Sequence, residues 1–188
     1  MHKGNLYVFT GPSGVGKGTV LRRLLEEVPG LFLSISATTR APRPGEVDGE
    51  HYYFISKEVF ERKIAENAFL EYAQYVGHCY GTLERPVEER LAAGSDVILE
   101  IEVQGAMQVH EKRPDAVMVF LAPPSMEELS ARLHGRGTES EDKIRRRLET
   151  AQHELEYQAN FDHIVVNDTV EGAVGVLREL ILGARTQA

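Results

Sequence analysis

The segment from Gly11 to Thr19, GPSGVGKGT, has the residue types and spacing of a loop that binds phosphate. It matches the pattern G-x-x-x-x-G-K, in which glycines let backbone N–H groups approach phosphate oxygens and the lysine adds a mobile positive charge. Where the pattern usually continues with Ser or Thr, whose hydroxyl coordinates Mg²⁺, this chain has Gly18. The residues predicted to surround the phosphate groups are Gly11, Pro12, Ser13, Gly14, Val15, Gly16, Lys17, Gly18 and Thr19.

Arginines fall in a few short segments of an otherwise acidic chain. The formal net charge of −8 argues against a nucleic-acid polymer or an anionic membrane as partner. Guanidinium groups bind phosphate oxygens in pairs, so clustered arginines in such a chain suit a small anionic ligand held in a cleft. The alternative is that they only balance neighbouring carboxylates. The clustered arginines are Arg40, Arg43, Arg132, Arg136 and Arg145 to Arg147.

Alternating strand and helix patterns must position these residues. Near-continuous apolar runs predict strands over 6–10, 31–37, 97–102, 116–121 and 163–166. Helical periodicity predicts helices over 17–28, 86–93, 104–112, 125–134, 140–159 and 169–183. This order predicts an α/β fold with a parallel sheet and right-handed crossovers. The glycine loop then joins a buried strand to a helix N-terminus, whose free N–H groups and positive dipole end attract an anion.

Residues 38–82 interrupt the alternation. A loop rich in Pro, Gly and Arg is followed by short aromatic strands around 52–54 and 69–76, with a helix between them over about 57–67. We interpret this segment as an inserted α+β subdomain over the carboxyl edge of the sheet. A second insertion, 135–138, separates two predicted helices and has the glycines of a hinge.

Cysteine usage and hydropathy limit the location of the chain. One cysteine, Cys79, excludes a disulfide bond within the chain and favours a reducing cytoplasm. No apolar run reaches the length of a membrane span, and the first predicted strand lies too near residue 1 for a signal peptide. We expect a single domain over residues 1–188 and leave monomer and homodimer both open.

Beyond the glycine loop, residues 36–54 (SATTRAPRPGEVDGEHYYF) closely resemble the monophosphate-binding signature of guanylate kinases. Further segments that resemble this family follow in its order along the chain: FLEYA 69–73, YGT 80–82, VQG 103–105, APP 122–124, RLHGRGT 132–138 and VND 166–168. The resemblance implies transfer of the γ-phosphoryl group of ATP, the co-substrate, to GMP with Mg²⁺. It also implies a three-layer P-loop fold with a GMP-binding subdomain (38–82) and a short lid (135–147).

The resemblance also implies roles for residues of the inserted segment. Glu71 is implied to accept hydrogen bonds from N1 and N2 of guanine, with Ser36 and Thr82 near its O6 and N7 edge. Taken without the resemblance, the favoured interpretation of Glu71 is an exposed charge on an edge strand. The residues implied to hold the GMP phosphate are Arg40, Arg43, Tyr52 and Tyr80.

Three arginines, Arg132, Arg136 and Arg147, form the lid set by resemblance. Helical periodicity places Arg146 on the solvent side and leaves Arg145 and Arg147 both flanking the apolar face, so only the family pattern selects Arg147. Together with Lys17 and Arg40, these arginines are the predicted catalytic residues.

Two further positions are left open by the sequence. Glu100 and Glu102 fall where the family usually has aspartate at one or both positions, and they are assigned to substrate binding. Their partner stays open: it is Mg²⁺ through a water molecule, the ribose and guanine of GMP, or a nearby arginine. We assign no side chain as a metal ligand. Asn167 is implied to lie near the adenine of ATP, although it is equally a plain helix N-cap.

Two alternative functions remain at this point. One is a catalytically silent protein-binding module of the same fold, against which the nearly complete P-loop and the lid arginines argue. The other is a kinase acting on AMP or ribose 1,5-bisphosphate, because Gly-Lys-Gly-Thr also resembles adenylate kinases; Glu71, Ser36 and Thr82 favour GMP.

Overall fold

The computed structural model describes residues 3–135 and 140–187. Its first half contains β1 (Leu6–Thr10), α1 (Lys17–Glu27), β2 (Leu31–Leu33), β3 (Ala37–Thr38), β4 (Tyr53–Phe54), α2 (Lys57–Ala65), β5 (Phe69–Tyr75) and β6 (His78–Leu83). Its second half contains α3 (Glu84–Ala92), β7 (Asp96–Glu100), α4 (Val103–Lys112), β8 (Val117–Ala122), α5 (Met126–Gly135), α6 (Glu141–Glu156), a 3₁₀ turn (Tyr157–Asn160), β9 (His163–Val166) and α7 (Val170–Gln187). In the described ranges, no helix combines the length and apolar character that crossing a membrane requires.

A five-stranded parallel sheet in the order β2-β7-β1-β8-β9 forms the centre of the fold. Successive residues of β1 point to opposite faces of this sheet. Leu6 and Val8 pack into one apolar cluster with residues of α3 and α4, whereas Tyr7 and Phe9 pack into another with α1 and α7. Helices therefore cover both faces, and the predicted three-layer α/β fold with a parallel sheet is confirmed.

A second, four-stranded sheet in the order β4-β3-β6-β5 lies within residues 37–83. β5 and β6 form an antiparallel hairpin in which Tyr72 lies opposite Gly81. α2 covers this sheet through Phe60, which is fully buried and stacks on Phe69 with ring centroids 4.4 Å apart. Most of this sheet falls in the segment interpreted as an inserted subdomain; the bounds 38–82 remain a prediction.

Several predicted boundaries are wrong. The single strand expected over 31–37 is two strands in different sheets, because β2 ends at Leu33 and β3 begins at Ala37. The strand expected over 97–102 ends at Glu100, since Glu102 is the N-cap residue of α4. The helix expected over 140–159 ends at Glu156 and gives way to a 3₁₀ turn.

Candidate active site

The glycine loop lies between the carboxyl end of β1 and the first turn of α1. Gly14 and Gly16 have φ angles of 90° and 99°, a region that side chains rarely adopt. A Cβ atom on Gly16 would stand 2.7 Å from the side-chain nitrogen of Asn167. Gly16 is also the N-cap residue of α1, so the free N–H groups of that helix point into the loop. The backbone is thus shaped to hold an anion.

Lys17 begins α1 and extends back across the loop. Its ammonium group donates hydrogen bonds to the carbonyl oxygens of Gly11 and Pro12, the latter at 3.2 Å. Gly18, by contrast, faces open space among residues 3–135 and 140–187, because a Cβ atom placed on it would have none of their heavy atoms within 4 Å. The loop therefore presents one mobile cation and an open position beside it.

Two of the predicted lid arginines contact the loop or its surroundings. Arg147 of α6 donates a hydrogen bond of 2.7 Å to the hydroxyl of Ser13, while its neighbours Arg145 and Arg146 are exposed. Arg132 of α5 donates to the carbonyl oxygen of Asn167 at 3.0 Å. Arg136 lies outside the described residues, as do the next three positions of the predicted lid.

Asn167 links the end of β9 to the glycine loop. It is 3% exposed, and its side-chain amide donates a 2.7 Å hydrogen bond to the carbonyl of Val15. The alternative interpretation of Asn167 as a helix N-cap is wrong, since the Thr169 hydroxyl accepts from the amide of Gly172 in the first turn of α7. Beside Asn167 opens a cleft of about 250 Å³, lined by Gly14, Val15, Gly16, Thr19, Arg132, Asn167, Asp168 and Val170.

A group of acids lies near Lys17. Glu100 ends β7, and its pKa is raised by loss of solvent, while Lys17 lowers it and Glu102 raises it. Sequence reasoning missed a third acid, Glu154 of α6. Burial raises the pKa of Glu154 to about 7, the charge of Glu102 adds to this, and Lys17 together with a hydrogen bond from the Ser13 amide opposes it. Nothing in the spacing of α6 marks Glu154, because only tertiary contact brings it to the loop.

Replacing Glu154 by glutamine is expected to raise the free energy of unfolding by about 1 kcal/mol at pH 8 and by less at pH 5. The raised pKa means that ionising Glu154 opposes folding: this penalty is absent below the ordinary pKa of 4.5, grows as the pH rises, and is complete above about 7. Urea unfolding at the two pH values measures it. Glu149→Gln, at an exposed position of α6, is the control. An equal gain at both pH values would contradict the prediction.

On the second sheet, Glu71 is a buried carboxylate held from two sides. It is 6% exposed, and its Oε1 accepts a 2.7 Å hydrogen bond from the hydroxyl of the fully buried Thr82. Gly105 of α4 leaves room for the other oxygen, because a Cβ atom there would stand 2.7 Å from Oε2. Burial raises the pKa of Glu71, and the Thr82 hydroxyl opposes that rise. The interpretation of Glu71 as an exposed charge is therefore wrong.

Arg40 is fixed by a carboxylate that sequence reasoning missed. Its two terminal guanidinium nitrogens each donate a 2.9 Å hydrogen bond to Glu46, which also accepts from the backbone amide of Arg43 at 2.6 Å. The Arg40 guanidinium holds the pKa of Glu46 at about 2. Both side chains are largely covered, at 12% and 17% exposure. Glu46 therefore orders the loop from Arg40 to Arg43.

Aromatic side chains surround Arg40. Its guanidinium carbon lies 5.4 Å from the ring centre of Tyr52, whose ring meets that of Tyr80 edge-on at 6.2 Å. Ser36 lies at the entry to this sheet, where its carbonyl accepts from the amide of Tyr53 at 2.9 Å. The structure thus brings the predicted acceptor-side residues onto one sheet and its adjoining loop.

Comparison with known proteins agrees with this arrangement. A family model described as "Guanylate kinase" matches residues 3–184. The guanylate kinase of Synechococcus sp. (strain CC9311) is 55% identical over 172 residues, covering 92% of this chain and 90% of that protein. The guanylate kinase of Desulfitobacterium hafniense (strain Y51) is 52% identical over 182 residues, covering 97% and 91%. The crystal structure of guanylate kinase from Anaplasma phagocytophilum matches with a TM-score of 0.75 at 30% identity, covering 97% of this chain and 87% of that chain.

Proposed function

Since the chain belongs to the guanylate kinase family and is an ATP:GMP phosphotransferase, we propose that the γ-phosphoryl group passes from ATP in the glycine loop to GMP on the second sheet. The observation that carries this assignment is the buried pair of Glu71 and Thr82 on a sheet whose adjoining loop holds Arg40 and Arg43. One surface thus carries a group that can recognise a base and groups that can bind a phosphate, which suits a nucleoside monophosphate.

Glu71 is assigned to guanine because of what a carboxylate accepts. Guanine presents N1–H and N2–H₂ side by side as donors, and an ionised carboxylate only accepts. Adenine would place its own N1 acceptor against Glu71, and such unpaired buried groups give roughly 10⁴-fold discrimination. Thr82, which donates to Oε1, fixes the carboxylate plane. Ser36 is assigned to the O6 and N7 edge.

The GMP phosphate is assigned to Arg40, Arg43, Tyr52 and Tyr80. Glu46 and the carbonyl of Ala41 take up the terminal nitrogens of Arg40. These bonds do not use Nε, and the Arg40 side chain also forms a hydrogen bond with Tyr80, so both side chains lie together where they can donate to phosphate oxygens. Glu46 then holds Arg40 in place for the phosphate, and tyrosine hydroxyls add neutral donors.

On the donor side, the chemistry requires positioning and charge neutralisation more than proton transfer. The acceptor phosphate is already an anion, so no strong general base is needed, and the difficulty is to bring two polyanions together. Lys17, Arg132, Arg136 and Arg147 are assigned to the transferring group, and Arg40 and Arg43 to the acceptor. Asn167 and the cleft beside it are assigned to the adenosine of ATP. Glu100 and Glu102 are assigned to substrate binding.

Mg²⁺ is proposed to accompany ATP. In residues 3–135 and 140–187, no three or more His, Cys, Asp or Glu side chains are grouped so as to hold a metal ion. Mg²⁺ commonly keeps several waters and is bound through substrate phosphates, so the residues present fit an ion carried by ATP. Bound there, the ion would neutralise phosphate charge. Lys17 and the arginines would bind the phosphate oxygens that remain.

The Gly18→Ser protein is expected to fold normally and to reach half-maximal activity at an about threefold lower Mg²⁺ concentration. A threefold change is what one added ligand with the strength of a hydrogen bond would give. The position is open, so the serine side chain meets no obstacle from the part of the chain that the structure describes. Activity across a Mg²⁺ titration at fixed ATP measures the effect. Gly175→Ser, at another unobstructed helical glycine, is the control. An unchanged half-saturation would show that the ion does not lie beside position 18.

The assignment is tested by ADP formation from ATP with AMP, GMP, dGMP, CMP, UMP and ribose 1,5-bisphosphate as acceptors. GMP is expected to give the highest kcat/KM. Turnover with none of these acceptors would indicate a catalytically silent binding module. A preference for AMP or ribose 1,5-bisphosphate would indicate a kinase of the same fold that acts on that acceptor.

Location and assembly are proposed from the composition and from the residues of the site. The single cysteine and the small-molecule substrates fit the cytoplasm. A monomer and a homodimer both fit the proposed site, because all its assigned residues come from one chain.

A further inference from the structure

One helix of the core holds the edge of the second sheet beside Glu71. β5 is the outer strand of that sheet, so one edge of its backbone pairs with no strand of the described residues. The side chain of Gln108, in α4, pairs with this edge at Tyr72: its oxygen accepts from the Tyr72 amide at 3.1 Å, and its nitrogen donates to the Tyr72 carbonyl at 3.0 Å. The amide group thus takes the place of a neighbouring strand, one residue after Glu71.

Lys112, one turn further along α4, holds the same strand on the other side of Glu71. Its ammonium donates to the carbonyl of Phe69 at 2.7 Å and to the side chain of Asn67 at 2.9 Å. Residues 108 and 112 share one helix face, and Gly105, one turn earlier, faces the Glu71 carboxylate. One face of α4 therefore contacts the strand before, at and after Glu71.

Within the sheet, Thr82 of β6 holds the Glu71 carboxylate, but the backbone pairing beside Glu71 is irregular. The pairing of β5 with β6 shifts register between Phe69 and Glu71, which marks a bulge at this point. A bulge interrupts the ladder and redirects the side chains beside it. Beyond the hydrogen bond from Thr82, the direction of the Glu71 carboxylate then depends on what holds the strand at its outer edge, where Gln108 and Lys112 of α4 contact it.

We propose that Gln108 is a positioning residue for guanine recognition, which it serves by clamping the backbone of Tyr72 so that Glu71 meets the N1 and N2 edge of the base. Lys112 clamps the strand before the bulge. This rests on the proposed role of Glu71. Because the clamp acts on the acceptor side alone, its loss affects GMP binding and base selectivity and leaves the ATP site unchanged.

The test compares Gln108→Met, which keeps the length of the side chain and removes both hydrogen bonds, with Glu111→Gln, at an exposed position of α4. For each variant, kcat and KM are measured with GMP, with IMP, which lacks the N2 amino group, and with ATP. Gln108→Met is expected to raise KM for GMP about tenfold, to reduce the preference for GMP over IMP about fivefold, and to leave KM for ATP and kcat within about twofold, which are the effects of weakening one or two hydrogen bonds to the base. Glu111→Gln is expected to match the parent protein.

Two further variants, Glu71→Gln and Lys112→Met, distinguish a failure of the clamp proposal from a failure of the role given to Glu71. If Glu71→Gln loses the preference for GMP over IMP and Gln108→Met keeps it, the clamp proposal is wrong and the role of Glu71 stands. If Glu71→Gln also keeps it, the role of Glu71 itself is wrong. A Gln108→Met protein with lower unfolding free energy but unchanged selectivity would show a merely structural role. Lys112→Met is expected to shift KM for GMP in the same direction as Gln108→Met, and an unchanged KM would restrict the clamp to Gln108.

Discussion

Replacing Lys17 by alanine is expected to lower kcat by about three orders of magnitude, the typical effect of removing a group that stabilises charge in the transition state. The ammonium reaches across the glycine loop, where it donates hydrogen bonds to the carbonyl oxygens of Gly11 and Pro12, and its charge acts on Glu100 and Glu154. Because these contacts are few, the free energy of unfolding should stay within about 0.5 kcal/mol of the parent value. Steady-state ADP formation with ATP and GMP, together with urea unfolding, measures both.

The matched control for Lys17 is Arg22→Ala, which removes an exposed cation from the same helix. It is expected to leave kcat unchanged within about twofold, as for a surface substitution away from the site. Near-normal turnover in Lys17→Ala would remove the role given to Lys17. A loss of turnover accompanied by a large loss of stability would mean that the lysine acts on the fold.

The Glu71→Gln substitution is expected to lower kcat/KM for GMP about 10³-fold and to leave KM for ATP unchanged. A carboxamide keeps the volume and can still accept the Thr82 hydrogen bond, but it turns a donor toward one of the two guanine donors. Turnover of AMP is expected not to fall, since the amide can face the adenine N1 acceptor. Kinetics with GMP, AMP and varied ATP measure all three.

Stability separates a specificity effect from a folding effect at position 71. Burial raises the pKa of Glu71, so the charge opposes folding, and Glu71→Gln should be no less stable than the parent protein. Glu66→Gln, at the exposed residue that follows α2 and precedes β5, is the control. Equal losses for GMP and AMP in Glu71→Gln would argue against base recognition by this residue.

The central fold could be predicted because its signals are local. Strands buried on both faces read as apolar runs, and the run from Leu6 to Thr10 before the glycine loop is fully buried as expected. Gly94 ends a helix with a positive φ of 83°, a conformation that the sequence marks by residue type alone. Such features are decided by a few neighbouring residues, so the sequence carries them.

The second sheet was harder because its signals are short or non-local. A continuous strand was expected over 31–37, yet residues 34–36 pass from one sheet to the other, and periodicity does not record which sheet a strand joins. β6 was not predicted, although its turn contains Val76 and Gly77, both with positive φ. Valine is an unusual residue in that conformation, so the turn carries little signal.

In the site, too, residues with local sequence signals could be predicted, and residues without them could not. Spacing identifies the loop residues, but Glu46 was missed because its partner Arg40, six residues earlier, is brought to it by the turn of an irregular loop. Glu154 was missed because its partner, Ser13, meets it only through the folded chain. Gln108 was missed for the same reason, since its partner is a backbone edge thirty-six residues away. Carboxylates and amides that hold other functional groups in place have no sequence pattern of their own.

The most direct test of the two-nucleotide site is a crystal structure with GMP, Mg²⁺ and a non-hydrolysable ATP analogue. The triphosphate is predicted to lie in the loop 11–19 with Lys17 on its phosphates and without a side-chain ligand from that loop on Mg²⁺. The guanine N1 and N2 are predicted to donate to Glu71, and the GMP phosphate to contact Arg40 and Arg43. Guanine bound away from Glu71, or GMP bound in the glycine loop, would contradict the account.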